Sequence, residues 1–128
     1  MRPALLRVAR LGLAALPLLL FSNCPRSGLL CVKATETRAA ALTVVVGDGA
    51  ACAGPVKLTS IEVYRTSDYG SRWAVTARTP TPVSTVVYGV VPEGFEQSLP
   101  PTALPPGSQV TVGVNGPGVS GGLDVMVK

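Results

Sequence analysis

The sequence predicts an all-β fold, a single β-sandwich of seven short strands, on three observations. Apolar and polar residues alternate in short runs, the period of a strand with one buried face. Glycine, proline, aspartate and serine cluster between those runs, as turns require. No run carries the 3.6-residue period of a long helix after residue 24, and the 128 residues leave room for one domain.

The chain opens on a different pattern. Arg2, Arg7 and Arg10 give a basic start, and residues 11–21 are an unbroken apolar run. Eleven residues span about 16 Å as a helix, well short of the roughly 20 residues that a bilayer crossing needs. A basic start, a short apolar run and then small or polar residues form the pattern of a signal peptide, so a signal-peptide helix over residues 1–23 is expected to be removed on export. A buried N-terminal helix of the domain would leave the three arginines unexplained.

The stretch Leu20-Phe21-Ser22-Asn23-Cys24 resembles the lipobox of bacterial lipoproteins, in which the cysteine becomes the lipidated first residue. Phe21 and Asn23 stand where that family favours leucine and a small residue. The resemblance implies a lipid modification on Cys24 and a membrane partner reached through it. Pro25 follows, without the aspartate that signals inner-membrane retention, so it implies an outer-membrane lipoprotein facing the periplasm. A periplasmic or secreted location is the alternative.

Cysteine count bears on the same point. Three cysteines in an oxidising compartment leave one unmatched. Lipidation of Cys24 removes it, and Cys31 and Cys52 can then form a disulfide; a reduced, buried pair is the other reading. Without histidine or a C-x-x-C spacing, the cysteines make poor metal ligands, and no metal or cofactor is expected.

The strands follow in order. Residues 29–33 form a short first strand, and residues 24–40 as a whole serve as tether and first strand ahead of a sandwich at 41–128. Residues 35–41 have room for one helical turn. Residues 42–46 are a short apolar strand. In Val56–Arg65 the apolar positions change from even (Val56, Leu58) to odd (Ile61, Val63), which requires a bulge near Thr59 and Ser60, since a one-residue slip otherwise turns the inner face outward. Residues 72–78 align Trp73, Val75 and Ala77. Residues 79–82, Thr-Pro-Thr-Pro, read as a loop. Residues 84–91 are apolar on both faces, as in a central strand. The proline-rich stretch 99–107 reads as an extended link over which the chain changes sheets. Residues 109–114 align Val110, Val112 and Val114, and residues 122–128 align Leu123, Val125 and Val127. Seven such strands point to an immunoglobulin-like or transthyretin-like sandwich.

Charge and composition exclude two classes. The 47% hydrophobic content and formal charge of +4 owe much to the leader. Without its three arginines, eight cations face seven carboxylates and are scattered. Capture of nucleic acid needs clustered cations, so nucleic acid is not expected as a partner. The motif Gly116-Pro-Gly-Val-Ser-Gly121 matches a dinucleotide loop in spacing only, because a strand rather than a helix follows; a glycine-rich hairpin is expected. With no histidine there is no imidazole base, and no catalytic residue is assigned. Glu93 and Glu96, or a serine with Lys33 or Lys57, are the residues that an enzyme reading would have to use.

The segment Tyr88-Gly-Val-Val-Pro-Glu-Gly-Phe95, with Trp73 and the later Leu-Pro-Pro-Gly at 104–107, resembles a pattern in small bacterial envelope lipoproteins over residues 57–128. The resemblance implies a shared domain and no particular activity. From the residues themselves, Tyr88, Pro92, Glu93 and Phe95 are the candidate binding surface, while core packing is the competing role for the aromatics. The expectation is a non-catalytic envelope lipoprotein that binds another envelope protein or component. The alternatives are a secreted adhesin- or pilus-like subunit, and an enzyme or accessory subunit with an unrecognised carboxylate or Ser–Lys site.

Overall fold

The computed structural model describes residues 28–128; Cys24 and the expected leader at 1–23 lie outside the described residues. The chain forms eight strands and no helix among the described residues: β1 (Cys31–Glu36), β2 (Thr43–Gly47), β3 (Val56–Arg65), β4 (Ser71–Val83), β5 (Thr85–Val87), β6 (Glu96–Leu99), β7 (Gln109–Gly116) and β8 (Val119–Met126). They build a three-stranded sheet of order β1-β2-β5 and a five-stranded sheet of order β6-β4-β3-β7-β8. All the named pairs are antiparallel.

The alternating patterns account for the core. Val44, Val46 and Val86 from the small sheet meet Ile61, Val63, Trp73, Val75, Val110, Val112, Val114 and Val125 from the large one in a single apolar cluster. Two layers joined by one such core are the sandwich arrangement. Each fully buried valine or leucine contributes roughly 1.5–3 kcal/mol of transfer free energy. The triplets Trp73/Val75/Ala77, Val110/Val112/Val114 and Leu123/Val125/Val127 all turn inward as the period-two reading expects.

The expected break in β3 is present. Leu58 pairs with Thr81, but Ser60 pairs with Thr76, so β4 carries three extra residues opposite the phase change. Leu58 and Ile61 are therefore both buried, despite lying on opposite parities of the strand.

Four expectations need correction. There are eight strands rather than seven, because the polar stretch Glu96–Leu99 pairs with β4 as an edge strand. Thr79-Pro-Thr-Pro82 is not a loop but part of β4. There β4 pairs with β3 and not with β6, so a missing proline N–H can lie on an unpaired side. Residues 84–91 are not a central strand: only Thr85–Val87 pair, at the edge of the small sheet, and β2 takes the centre. The chain stops pairing where Val90 N–H closes a turn on the Val87 carbonyl (3.0 Å), with Gly89 at φ +81°. The link after Leu99 does not change sheets; it passes from the edge strand β6 to β7 within the large sheet. The sheet changes occur instead between β2 and β3, at Ser84 between β4 and β5, and between β5 and β6. The helical turn allowed at 35–41 is a single hydrogen-bonded turn, Ala41 N–H to the Arg38 carbonyl (3.0 Å).

The ends of the sandwich are distinct. At one pole the chain enters beside the β7–β8 turn, where Leu30 N–H donates to the Ser120 carbonyl (2.8 Å) and Ser120 N–H to the Gly28 carbonyl (2.7 Å). The β3–β4 turn and the start of β7 lie at the other pole, since Arg65 pairs with Val110 and Gln109 with Met126. Gly116 pairs with Val119 across the turn Pro117-Gly118, so the glycine-rich motif is a hairpin.

Candidate functional site

The candidate segment 88–95 links β5 to β6, and two aromatics pin it at its ends. Tyr88 is half-buried. Its ring meets that of Trp73 edge-on at 5.5 Å, a favourable aromatic geometry. Its hydroxyl lies 2.6 Å from the Thr102 carbonyl and 3.0 Å from the Arg72 carbonyl as donor, and it accepts from Thr102 N–H at 3.2 Å. The phenol thereby ties the proline-rich link to the start of β4. At the other end Phe95 is buried in the core, with its N–H on the Pro92 carbonyl (3.1 Å). Gly94 lets the chain reach that point: at φ +85° a Cβ would sit 2.9 Å from Thr81 Cγ2, so any side chain would be strained twice over.

The structure therefore brings the four expected residues onto one segment without pointing them the same way. Tyr88 and Phe95 turn inward, Pro92 is half-buried, and Glu93 is exposed. What the segment offers to solvent is Val90 and Val91, 59% and 39% exposed, with Glu93 beside them. Trp73 is fully buried, and its indole N–H donates to Gln97 Oε1 (3.0 Å), which satisfies the ring's one polar group and holds β6 against β4.

Burial pushes the Tyr88 phenol above its usual value near 10, against the pull of its bonds to Thr102 and the nearby Arg72 charge. The folded chain therefore keeps this proton where the unfolded chain loses it. Stability contributed by Tyr88 is fully present below the ordinary value of about 10 and is lost as pH rises above it through the higher folded-state value. We expect the urea midpoint of the wild type to drop more between pH 9 and pH 11 than that of Tyr88→Phe. Equal drops would contradict this.

Cys31 and Cys52 form a disulfide, with Cα atoms 5.2 Å apart, which joins the first residue of β1 to the loop after β2. Glu93 and Glu96 are both exposed. Lys33 donates to the Ala50 carbonyl (3.3 Å), and Lys57 is exposed on β3. No group of three histidine, cysteine, aspartate or glutamate side chains comes together among the described residues. A cavity of about 10 Å³ lies between the sheets beside Trp73 and Tyr88, with Val44, Val86 and Val112 on its walls, too small for any ligand larger than water.

Sequence reasoning missed a second aromatic site. Tyr69, in the turn between β3 and β4, is 77% exposed and stands at φ +60°. Its ring meets that of Tyr64 at 5.9 Å and 47°. The available signal was a bulky aromatic between Asp68 and Gly70, where a small turn residue would serve. No protein-family model matches the chain, and no curated protein is similar to it in sequence.

Proposed function

We propose that the protein is a non-catalytic envelope lipoprotein, tethered through a lipid on Cys24, whose immunoglobulin-like sandwich presents a binding face to another envelope component. The observation that carries this reading is the polarity of the fold. Gly28 lies at the β7–β8 pole, four residues after Cys24, so a fully extended tether is at most about 14 Å long. The entry pole is then held near the bilayer, and the opposite pole, with the β3–β4 turn and its exposed aromatic, points away. Lipoproteins of the type that Cys24 resembles carry two or three acyl chains, and multiple chains anchor stably where a single chain does not. The strand order supports the immunoglobulin-like form: the first, second and fifth strands share one sheet, and the third pairs with the seventh in the other. The disulfide fits an oxidising compartment.

The test is fractionation of the full chain and its Cys24→Ser variant expressed in a bacterial host. The wild type is expected in the membrane fraction, with a larger precursor accumulating when the lipoprotein signal peptidase is inhibited. The variant is expected to leave the membrane fraction. A wild-type chain that is soluble and insensitive to the inhibitor would rule out the anchor.

A further inference from the structure

Tyr69 stands in a conformation that side chains rarely adopt. The left-handed region brings Cβ against the following carbonyl, and a bulky residue there is an outlier. The turn around it fixes that conformation. Arg65 N–H donates to the Gly70 carbonyl (2.8 Å), Tyr69 N–H to the Arg65 carbonyl (2.8 Å) and Gly70 N–H to Asp68 Oδ1 (3.0 Å), while the Arg65 guanidinium pairs with the same carboxylate oxygen (3.2 Å). The turn backbone therefore presents an aromatic ring to water, in a place where glycine or asparagine would fit without strain. Strain retained at an exposed residue points to a function for its side chain.

The surroundings of the ring define what it could hold. Tyr64 lies beside it on the outer face of the large sheet, opposite Thr111, which is in turn opposite Asp124. The next row holds Glu62, Gly113 and Gly122. A Cβ at position 113 would meet the Tyr64 ring at 3.7 Å and the Glu62 backbone oxygen at 3.9 Å, and one at 122 the Val112 backbone oxygen at 3.5 Å, all ordinary contacts. Neither glycine is required by its backbone, so the pair leaves a low, flat floor beside the aromatics. Around that floor the polar groups are already oriented. Thr111 Oγ1 bonds Asp124 Oδ1 (2.7 Å) and Thr66 Oγ1 (2.9 Å), and the Ser71 hydroxyl donates to Glu62. Each carboxylate has capacity for about four hydrogen bonds, so both keep acceptor sites for an outside hydroxyl.

We propose that this face is a glycan-binding platform, with a pyranose ring stacked on Tyr69 and Tyr64 and its hydroxyls donating to Asp124 and Glu62. This rests on, and deepens, the reading of an envelope-binding lipoprotein: the component bound is a polysaccharide. The chemistry favours a sugar over a protein. A protein-binding patch has an apolar core enriched in large side chains, whereas here the positions next to the tyrosines carry glycine, threonine and carboxylates. A sugar needs an aromatic surface for its C–H face and fixed acceptors for its hydroxyls, and both are present within adjacent rows of one sheet. The site lies at the pole away from Gly28, where an anchored chain would meet an extended polymer.

The experiment is an amide chemical-shift titration of the full chain in detergent micelles with an N-acetylglucosamine tetrasaccharide, and separately with maltotetraose. Saturable shifts at Tyr69, Thr111, Gly113 and Asp124 with either glycan are expected. Tyr69→Gly removes both the ring and the strain. It should weaken binding at least about tenfold while leaving the urea midpoint equal or higher, and Tyr69→Phe should bind within about twofold of wild type. The proposal is overturned if neither glycan gives saturable shifts, if the shifts lie elsewhere, or if Tyr69→Gly binds as well as wild type. A lower urea midpoint in Tyr69→Gly with binding unchanged would assign the tyrosine pair to packing alone. Glycan binding by an unlipidated chain would leave this site standing and remove the anchor; a lipidated chain without a glycan response would do the reverse.

Discussion

Trp73→Ala is expected to lower the stability of the domain by about 3–5 kcal/mol. Trp73 is fully buried on the inner face of the large sheet, on β4 between the edge strand β6 and the central strand β3, where Val63 is its partner. Removing it leaves a cavity between the sheets, takes away the ring against which Tyr88 rests, and strands Gln97 without its donor. The last two effects reach beyond the core, since Tyr88 holds the proline-rich link and Gln97 holds β6. A domain of this size has a total stability of about 5–15 kcal/mol, so the variant should be close to its unfolding threshold at 37 °C. Urea denaturation followed by circular dichroism measures the loss. A loss below about 1 kcal/mol would show that the ring is not a keystone of the core.

The second large effect is expected from the disulfide. Cys31 and Cys52 are 21 residues apart, and the chain-entropy argument gives about 3 kcal/mol for closing a loop of that length. In a domain of about a hundred residues, a loss of that size shifts Tm by on the order of 10–20 °C. The location makes the effect local as well. β1 is the outer strand of the small sheet, bound to β2 on one side, so its pairing with β2 depends most on the cross-link. Thermal melts with and without reductant check this, and unchanged Tm values would contradict it. Cys52 also stands at φ +53°. In a Cys31→Ala background, Cys52→Gly should therefore be more stable than Cys52→Ala, because glycine adopts that conformation without strain.

The parts of the fold legible in the sequence are those where burial dictates the period. Val110, Val112 and Val114 have one face in the core and one in water, so alternation marks them. The same logic exposed the bulge in β3, because a change of parity is possible only where the strand is interrupted. It misled at 84–91, where apolarity on both faces implied a central strand. Val90 and Val91 are in fact exposed beyond a turn at Gly89, and no periodicity distinguishes an apolar loop from a buried strand. β6 was invisible for the opposite reason. Glu-Gln-Ser-Leu is held by backbone pairing to β4 and by the Gln97–Trp73 bond, and neither leaves a hydrophobic pattern.

The candidate site divides in the same way. The sequence brought attention to 88–95, and the segment is indeed a turn-rich connection, but the inward rotation of Tyr88 and Phe95 depends on partners distant in sequence, Thr102 and the core. Tyr69 belongs to no periodic run, and its one signal was its place between Asp68 and Gly70. Its exposure follows from a left-handed turn conformation that a tyrosine would not be expected to occupy, and its partner Tyr64 is identified only once the strand's outer face is known.

Intact mass, read on the protein recovered from a bacterial envelope, decides whether the sandwich is anchored through Cys24. The expected mass is that of a chain that begins at Cys24 and carries a diacylglycerol thioether there, with one intramolecular disulfide between the remaining two cysteines. A mature chain that begins downstream of Cys24, or one that retains residues 1–23 without a lipid, would contradict it.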